Sequence, residues 1–349
     1  MSHPCAMTPR EALERIVYLL DRSQAEPYRV RAFLRAAEVV SKHDDATLLQ
    51  MAAHGRLTEL AGIGDVTAAI VTGALAGAVP AYLERLEQET AVRLSDAAAS
   101  VRLVLRGDLH SHSHWSDGGA SIERMARAAA ALGHDYLVMS DHSARLTVAH
   151  GLTRERLEQQ LAEIAALNAT FEDEGVSFRV LTGMEVDINE DGSLDASDDV
   201  LAVLDVVVAS VHSKLRMAGP AMTERMLLAM ASPHVDVLGH CTGRMVTGRG
   251  RPPSEFDADL IFAACLKFDK AVEINCRPER PERLDPPMAL LRRAVELGCR
   301  VAIDTDAHAP GQLEWQAFGC ERAAEAGVPV GRIVNAMGRE ELLAWTGSH

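Results

Sequence analysis

The run Val101-Arg-Leu-Val-Leu-Arg106 is short and apolar, and Gly107-Asp108-Leu-His110-Ser-His112 comes directly after it, with Asp117 five residues further on. The same order, an apolar strand-like run and then imidazole or carboxylate, recurs along the rest of the chain. Strands are predicted at 101–106, 136–139, 178–181, 206–209, 235–238, 271–274 and 300–303, mostly separated by amphipathic helical stretches at 122–132, 154–174, 223–231, 258–268 and 288–297. The link from Leu181 to Asp205 has room for only a short helix. This alternation is the pattern of βα units around a parallel sheet, so an α/β class is expected.

Toward the N-terminus the period changes. Residues 8–90 carry apolar side chains such as Leu13, Ile16, Val17 and Leu20 at spacings of three and four, which predicts helices. Thr8-Pro9 supplies an N-cap and a first helical position. Pro27, the Lys42 to Asp45 turn, Gly55 and the Gly62/Gly64 pair divide the segment into four or five short helices. The expected organisation is an all-α region at 1–90, a linker at 91–100 and an α/β barrel at 101–349.

The residues just past each predicted strand carry the chemistry. His110 and His112 come after the first, His142 after the second, Glu185 after the third, His212 after the fourth, His240 after the fifth, and Asp306 and His308 after the seventh. In a parallel barrel every C-terminal strand end opens on one face. These eight residues and Asp117 are therefore predicted to converge on one site. A lone loop histidine is ordinarily a polar surface residue, and His3, His43, His54, His134, His234 and His349 are read that way, while His114 and His150 border the cluster. Imidazole and carboxylate without thiolate suit zinc, manganese or iron. Nine ligands exceed the needs of one ion and suffice for two or three. Clustered divalent ions support in-line displacement at phosphorus, so phosphoester hydrolysis is the leading reaction class.

Composition sets the outer limits. The chain has 349 residues, 48% hydrophobic and 24% charged, which excludes wholesale disorder. Its formal charge of −15, from 35 basic and 50 acidic residues, disfavours a long non-specific duplex-binding surface, though carboxylate ligands account for part of the excess. The six cysteines include no C-x-x-C pair, against a zinc ribbon or a disulfide framework. No apolar run approaches about 18 residues, and Met1 to Arg10 lacks the basic and apolar regions of a secretory signal. A cytoplasmic protein without a membrane span is expected. Asp187-Ile-Asn189-Glu-Asp191-Gly192 fits the opening of an EF-hand loop, but the twelfth position is Asp198 and a strand precedes it, so a turn is the expectation.

Gly107-Asp-Leu-His-Ser-His112, Trp115-Ser-Asp-Gly118, Ser140-Asp-His-Ser143, Gly183-Met-Glu185, Ser210-Val-His212, Gly239-His240 and Asp306-Ala-His308 resemble, in order, the successive motifs of the PHP (polymerase and histidinol phosphatase) superfamily. Val148-Ala-His-Gly-Leu152, Asp191-Gly-Ser-Leu-Asp195 and Glu273-Ile-Asn275 are most similar to the PHP domain of bacterial family X DNA polymerases. The resemblance, over roughly residues 101 to 345, implies a distorted (β/α)7 barrel with a trinuclear centre. One metal would be held by His110, His112, Glu185 and Asp306, a second by Glu185, His212 and His240, and a third by Asp117, His142 and His308. Asp108 would orient the histidines from behind. Arg244 would clamp a phosphate, with Arg277 and Arg283 as weaker candidates.

The first ninety residues resemble the helical N-terminal region of the same polymerases. Leu60-Ala-Gly62-Ile-Gly64, with 66–74 after it, reads as a helix-hairpin-helix whose glycine amides approach a DNA phosphate. Nine basic against twelve acidic residues in 1–90, a net of −3, make any such affinity local and weak. The polymerases carry a nucleotidyltransferase palm between these two regions. Here Glu89 and Val101 are too close for one, so no polymerase activity is carried over. The leading expectation is a metal-dependent phosphoesterase acting at DNA 3′ ends, in the manner of a repair exonuclease or 3′-phosphatase. The alternatives are a small-molecule phosphatase of the histidinol-phosphatase type and a non-catalytic DNA-binding scaffold.

Overall fold

In the computed structural model, which describes residues 7–243, 252–278 and 285–348, Thr8 and Glu11 form a capping box that starts the first helix, Pro9–Arg22. Its apolar stripe, Leu13, Ile16, Val17 and Leu20, is wholly buried. Helices Pro27–Ser41, Asp45–Ala53, Asp65–Leu75 and Ala81–Glu89 complete an all-α unit that spans Met1–Arg93. Its own core joins Phe33, Leu48, Ile70, Val71 and Leu83 to that stripe. Gly62 has φ +109°, in the left-handed region that favours glycine, and lies against the Arg35 side chain.

The second unit, Leu94–His349, is the distorted (β/α)7 barrel. Its strands are β1 (Gly107–Asp108), β2 (Tyr136–Met139), β3 (Arg179–Asp187), β4 (Val206–Ser210), β5 (Val237–Leu238), β6 (Ala271–Asn275) and β7 (Arg300–Asp304). They run parallel in sequence order. Tyr136, Val138, Leu181, Val206, Val208, Val237, Ala271 and Ala302 form the interior cluster with the two-residue period of strands, and Leu342 and Trp345 of the C-terminal helix belong to the same cluster. No helix among the described residues is long and apolar enough to cross a membrane.

The structure corrects three expectations. The run 101–106 is not a strand: Ser95 accepts from the Ala98 N–H and starts a helix at Asp96–Val104, leaving only Gly107 and Asp108 for β1. The deciding signal is Ala98 and Val101, spaced three apart and buried on one helical face, with Leu105 buried just past the helix end. The linker expected at 91–100 is accordingly helical from Asp96. In addition, β3 continues to Asp187, so Glu185 lies within the strand and not beyond it.

Closure of the barrel at β1 and β7 is made by side chains. Gln316 and Asn335 each donate from their amide nitrogens to the carbonyls of Gly107 and Ile303, at 2.9 to 3.2 Å. Asp304 accepts from the Leu109 N–H at 2.9 Å. Past the strand ends a parallel bridge joins Ser111 to Ala307. The site rim is thereby held although the two strands share no ladder.

Gly183 sits where three strands meet, and a Cβ there would lie 2.5 Å from Val138 Cγ1 and 2.9 Å from the Val206 carbonyl. Gly183→Ala is expected to destabilise the barrel by about 1–3 kcal/mol through overpacking. Denaturant unfolding with an unchanged midpoint would refute this packing.

Candidate metal centre

All nine side chains expected to converge do so on one face of the barrel. Glu185, 1% exposed, is the hub. Its Oε1 lies 2.8 Å from His240 Nε2 and 3.2 Å from His212 Nε2, and its Oε2 lies 2.8 Å from His142 Nδ1, 3.4 Å from His110 Nε2 and 3.7 Å from His112 Nε2. Asp306 faces His112 at 3.1 Å and His110 at 3.8 Å. Asp117 faces His308 at 3.3 Å and His142 at 3.6 Å. Three overlapping groups have donor atoms close enough together to share a cation: His112, Asp117, His142 and His308; His110, His112 and Glu185; and His142, Glu185 and His212.

The donor set fits divalent cations. His110 Nε2, both ring nitrogens of His112, His142 Nδ1, His212 Nδ1 and Glu185 Oε1 are buried without a hydrogen-bond partner. Buried polar atoms in native proteins are ordinarily satisfied, and His110 Nε2, His112 Nε2 and His142 Nδ1, orphaned around the Glu185 carboxylate, call for an electrophile. Burial, reinforced by the neighbouring His308 and His142, pushes the His112 pKa down to about 3, so its ring is a neutral lone-pair donor. Burial opposes the charge of Glu185, but His212, His110 and His142 outweigh it and keep the carboxyl well below its ordinary range. Cys241, beside His240, is no thiolate ligand, because burial raises its pKa well above the ordinary value.

Several residues hold the ligands in place. Asp141 faces away from the cluster and ties down the loop from His112 to Asp117, accepting from the N–H and hydroxyl groups of Ser113 and Ser116 and from the Gln160 amide. Asp187 accepts from the His212 backbone N–H at 3.0 Å. The segment that mimics a calcium loop is a turn, closed by a bridge between Ile188 and Leu194.

Asp108 does not touch an imidazole. Its carboxylate accepts from the His110 backbone N–H at 3.1 Å and from the Thr305 hydroxyl and N–H at 2.5 and 3.2 Å, joining β1 to the loop after β7. The ring of His110 is held by Glu273, at 2.6 Å from Nδ1. Residue types and spacing passed over Glu273 because it lies inside an apolar strand. Its signal was a charged residue on the inward-facing parity of β6.

Arg277, with its side chain 41% exposed, stands at the rim with Nη1 3.8 Å from Asp306 Oδ2. Arg244 and Arg283 lie outside the described residues. In the all-α unit the Gly64 N–H donates to Thr67 Oγ1 at 2.9 Å, so that amide is already engaged at the start of helix Asp65–Leu75, while the space beside its Cα is open.

Comparison with known proteins agrees with this geometry. Residues 108–275 match the PHP domain. The DNA polymerase/3′-5′ exonuclease PolX of Bacillus subtilis is 39% identical over 262 residues, which cover 74% of this chain and 44% of that protein. The chain thus spans less than half the length of that relative. A probable phosphatase of Thermoanaerobacter is 29% identical over 60% of this chain and 80% of its own. The solved histidinol phosphate phosphatase of Lactococcus lactis, complexed with zinc, L-histidinol and phosphate, covers 64% of this chain and 94% of its own at 21% identity and a TM-score of 0.45. Helix Ala81–Glu89 is separated from helix Asp96–Val104 only by residues 90–95. With a PHP domain match at 108–275 and the nine ligand candidates of the barrel drawn together, this chain carries a PHP domain of the phosphoester-hydrolase class.

Proposed function

We propose that this protein is a metal-dependent phosphoesterase acting at DNA 3′ ends, with two or three divalent ions, zinc, manganese or iron, held by His110, His112, Asp117, His142, Glu185, His212, His240, Asp306 and His308. The observation that carries the reading is the convergence of nine donors, five of them with orphaned buried atoms, on one barrel face. The preference for DNA rests on the polymerase/exonuclease relative, whose match takes in 74% of this chain. When bound, the cations supply Lewis acidity toward a phosphoryl oxygen and an attacking water. The protein's own contribution is preorganisation. Neutral His112 and ionised Glu185 and Asp306 present lone pairs without rearrangement. Arg277 offers a guanidinium at the rim where a substrate phosphate enters.

The all-α unit is the DNA-contacting part in this reading, through the turn at Gly62 and Gly64. A second reading, a phosphatase for small phosphomonoesters, is favoured by the probable phosphatase whose length is 80% matched by 60% of this chain.

The full chain supplied with Mn2+ is expected to release nucleotides or phosphate from 3′-ended DNA, and His142→Ala to lower kcat/KM by more than about tenfold. No release, or equal release by the His142→Ala protein, would sink the proposal. Turnover of one small phosphomonoester far above that of DNA would instead select the second reading. Chelation is expected to stop turnover while the far-ultraviolet circular dichroism is retained. Unfolding on chelation would mark the metals as structural.

Gly64→Glu meets no steric obstacle, since its backbone has φ −102° and nothing lies within 4 Å of the added Cβ. A carboxylate there would repel a phosphate at the turn. The KM for DNA is expected to rise several-fold with the thermal transition preserved, and an unchanged KM would remove the all-α unit from the DNA-binding role.

A further inference from the structure

Six of the seven strands carry or lead into a metal-ligand candidate, and β6 does not. Its inward face, marked by Ala271 in the interior cluster, continues at the two-residue strand period to Glu273 and Asn275. Glu273 is fully buried. One of its oxygens lies 2.6 Å from His110 Nδ1, and the other accepts from the His240 backbone N–H at 2.5 Å. Asn275 donates its amide to that second oxygen and to Asp306 Oδ2, both at 3.3 Å. One strand therefore touches ligands that come after β1, β5 and β7.

The contact with His110 also decides which nitrogen is free. With Nδ1 donating to a carboxylate, the ring keeps its proton there and presents a lone pair at Nε2, which is buried, unpartnered and 3.4 Å from Glu185. We propose that β6 is the positioning strand of the centre. Glu273, seconded by Asn275, sets the tautomer and aim of His110, the backbone position of His240 and the rotamer of Asp306, and through them the affinity for the ions that these residues share with Glu185. Glu273 is a positioning residue and touches no reacting atom. The inference rests on the reading of the cluster as a metal centre.

The test uses the full chain, titrated calorimetrically with Mn2+ and, separately, loaded with Co2+ for its visible d–d spectrum. Glu273→Gln preserves shape but replaces one acceptor oxygen by an NH2 group. It is expected to lose about 10–100-fold in affinity for at least one Mn2+ equivalent and to shift the Co2+ bands. Asn275→Ala, which removes the links to Asp306 and to the second oxygen of Glu273 but leaves the Glu273–His110 contact, is expected to show a smaller loss in the same direction. A purely structural role would lower the unfolding temperature and leave affinity and spectrum alone. Wild-type titration and spectrum in both variants would overturn the inference. If the Glu273→Gln protein fails to fold, Asn275→Ala decides it on the same two readouts. Wild-type protein that takes up neither ion would overturn the metal reading and this inference with it, a result distinct from unchanged variants.

Discussion

A carboxylate removed from water must be neutralised, and Glu185 is removed almost completely while five imidazoles lie within 3.7 Å of it. Protons alone satisfy this cluster poorly, because His112 is held neutral by its surroundings and its Nδ1 is buried without a partner. Divalent cations resolve the conflict by accepting several lone pairs at once. Burial, orphaned donors and charge thus point to one requirement, and the barrel is arranged around meeting it.

The scaffold meets that requirement by placing polar groups inside strands where hydrophobic ones would be more stable. Asp108 in β1, Glu185 in β3, Glu273 in β6 and Asp304 in β7 are all essentially inaccessible to solvent. Below them the interior cluster is apolar, and Asn335 and Gln316 seal the gap between β1 and β7 with their amides. Burial raises the pKa of Asp108 to about 6, and burial with Asp108 and Glu273 as neighbours raises Asp304 well above its ordinary value. Stability is given up locally so that the ligands above need not move when they act, which is what electrostatic preorganisation asks of a site.

Much of the site could be read from the residues in order. His110, His112, His142, His212, His240 and His308 recur just after apolar runs, and a parallel barrel leaves such residues a single place to meet. The Thr8-Pro9 helix start and the apolar stripe from Leu13 to Leu20 were equally plain, because capping and the 3.6-residue period are local properties. The segment 101–106 misled because six residues of Val, Leu and Arg satisfy both periods. The Ser95 cap and the burial of Ala98 and Val101 on one face distinguish helix from strand there. Asp108, expected from the family resemblance to orient the histidines, acts on His110 through its backbone N–H and ties it to Thr305.

By itself the sequence determined the class of fold, the nine side chains that the barrel brings together and the chemistry such groups can support, since all of these derive from short-range periodicity and from which atoms a side chain carries. The tertiary structure alone decided who supports whom. That Glu273 reaches His110 across 163 positions, that Asp141 serves a loop and not the cluster, and that the β1–β7 seam is closed by Asn335 and Gln316 depend on the register and curvature of a closed sheet. Those are set by the packing of the whole barrel and leave no mark at any one position in the chain.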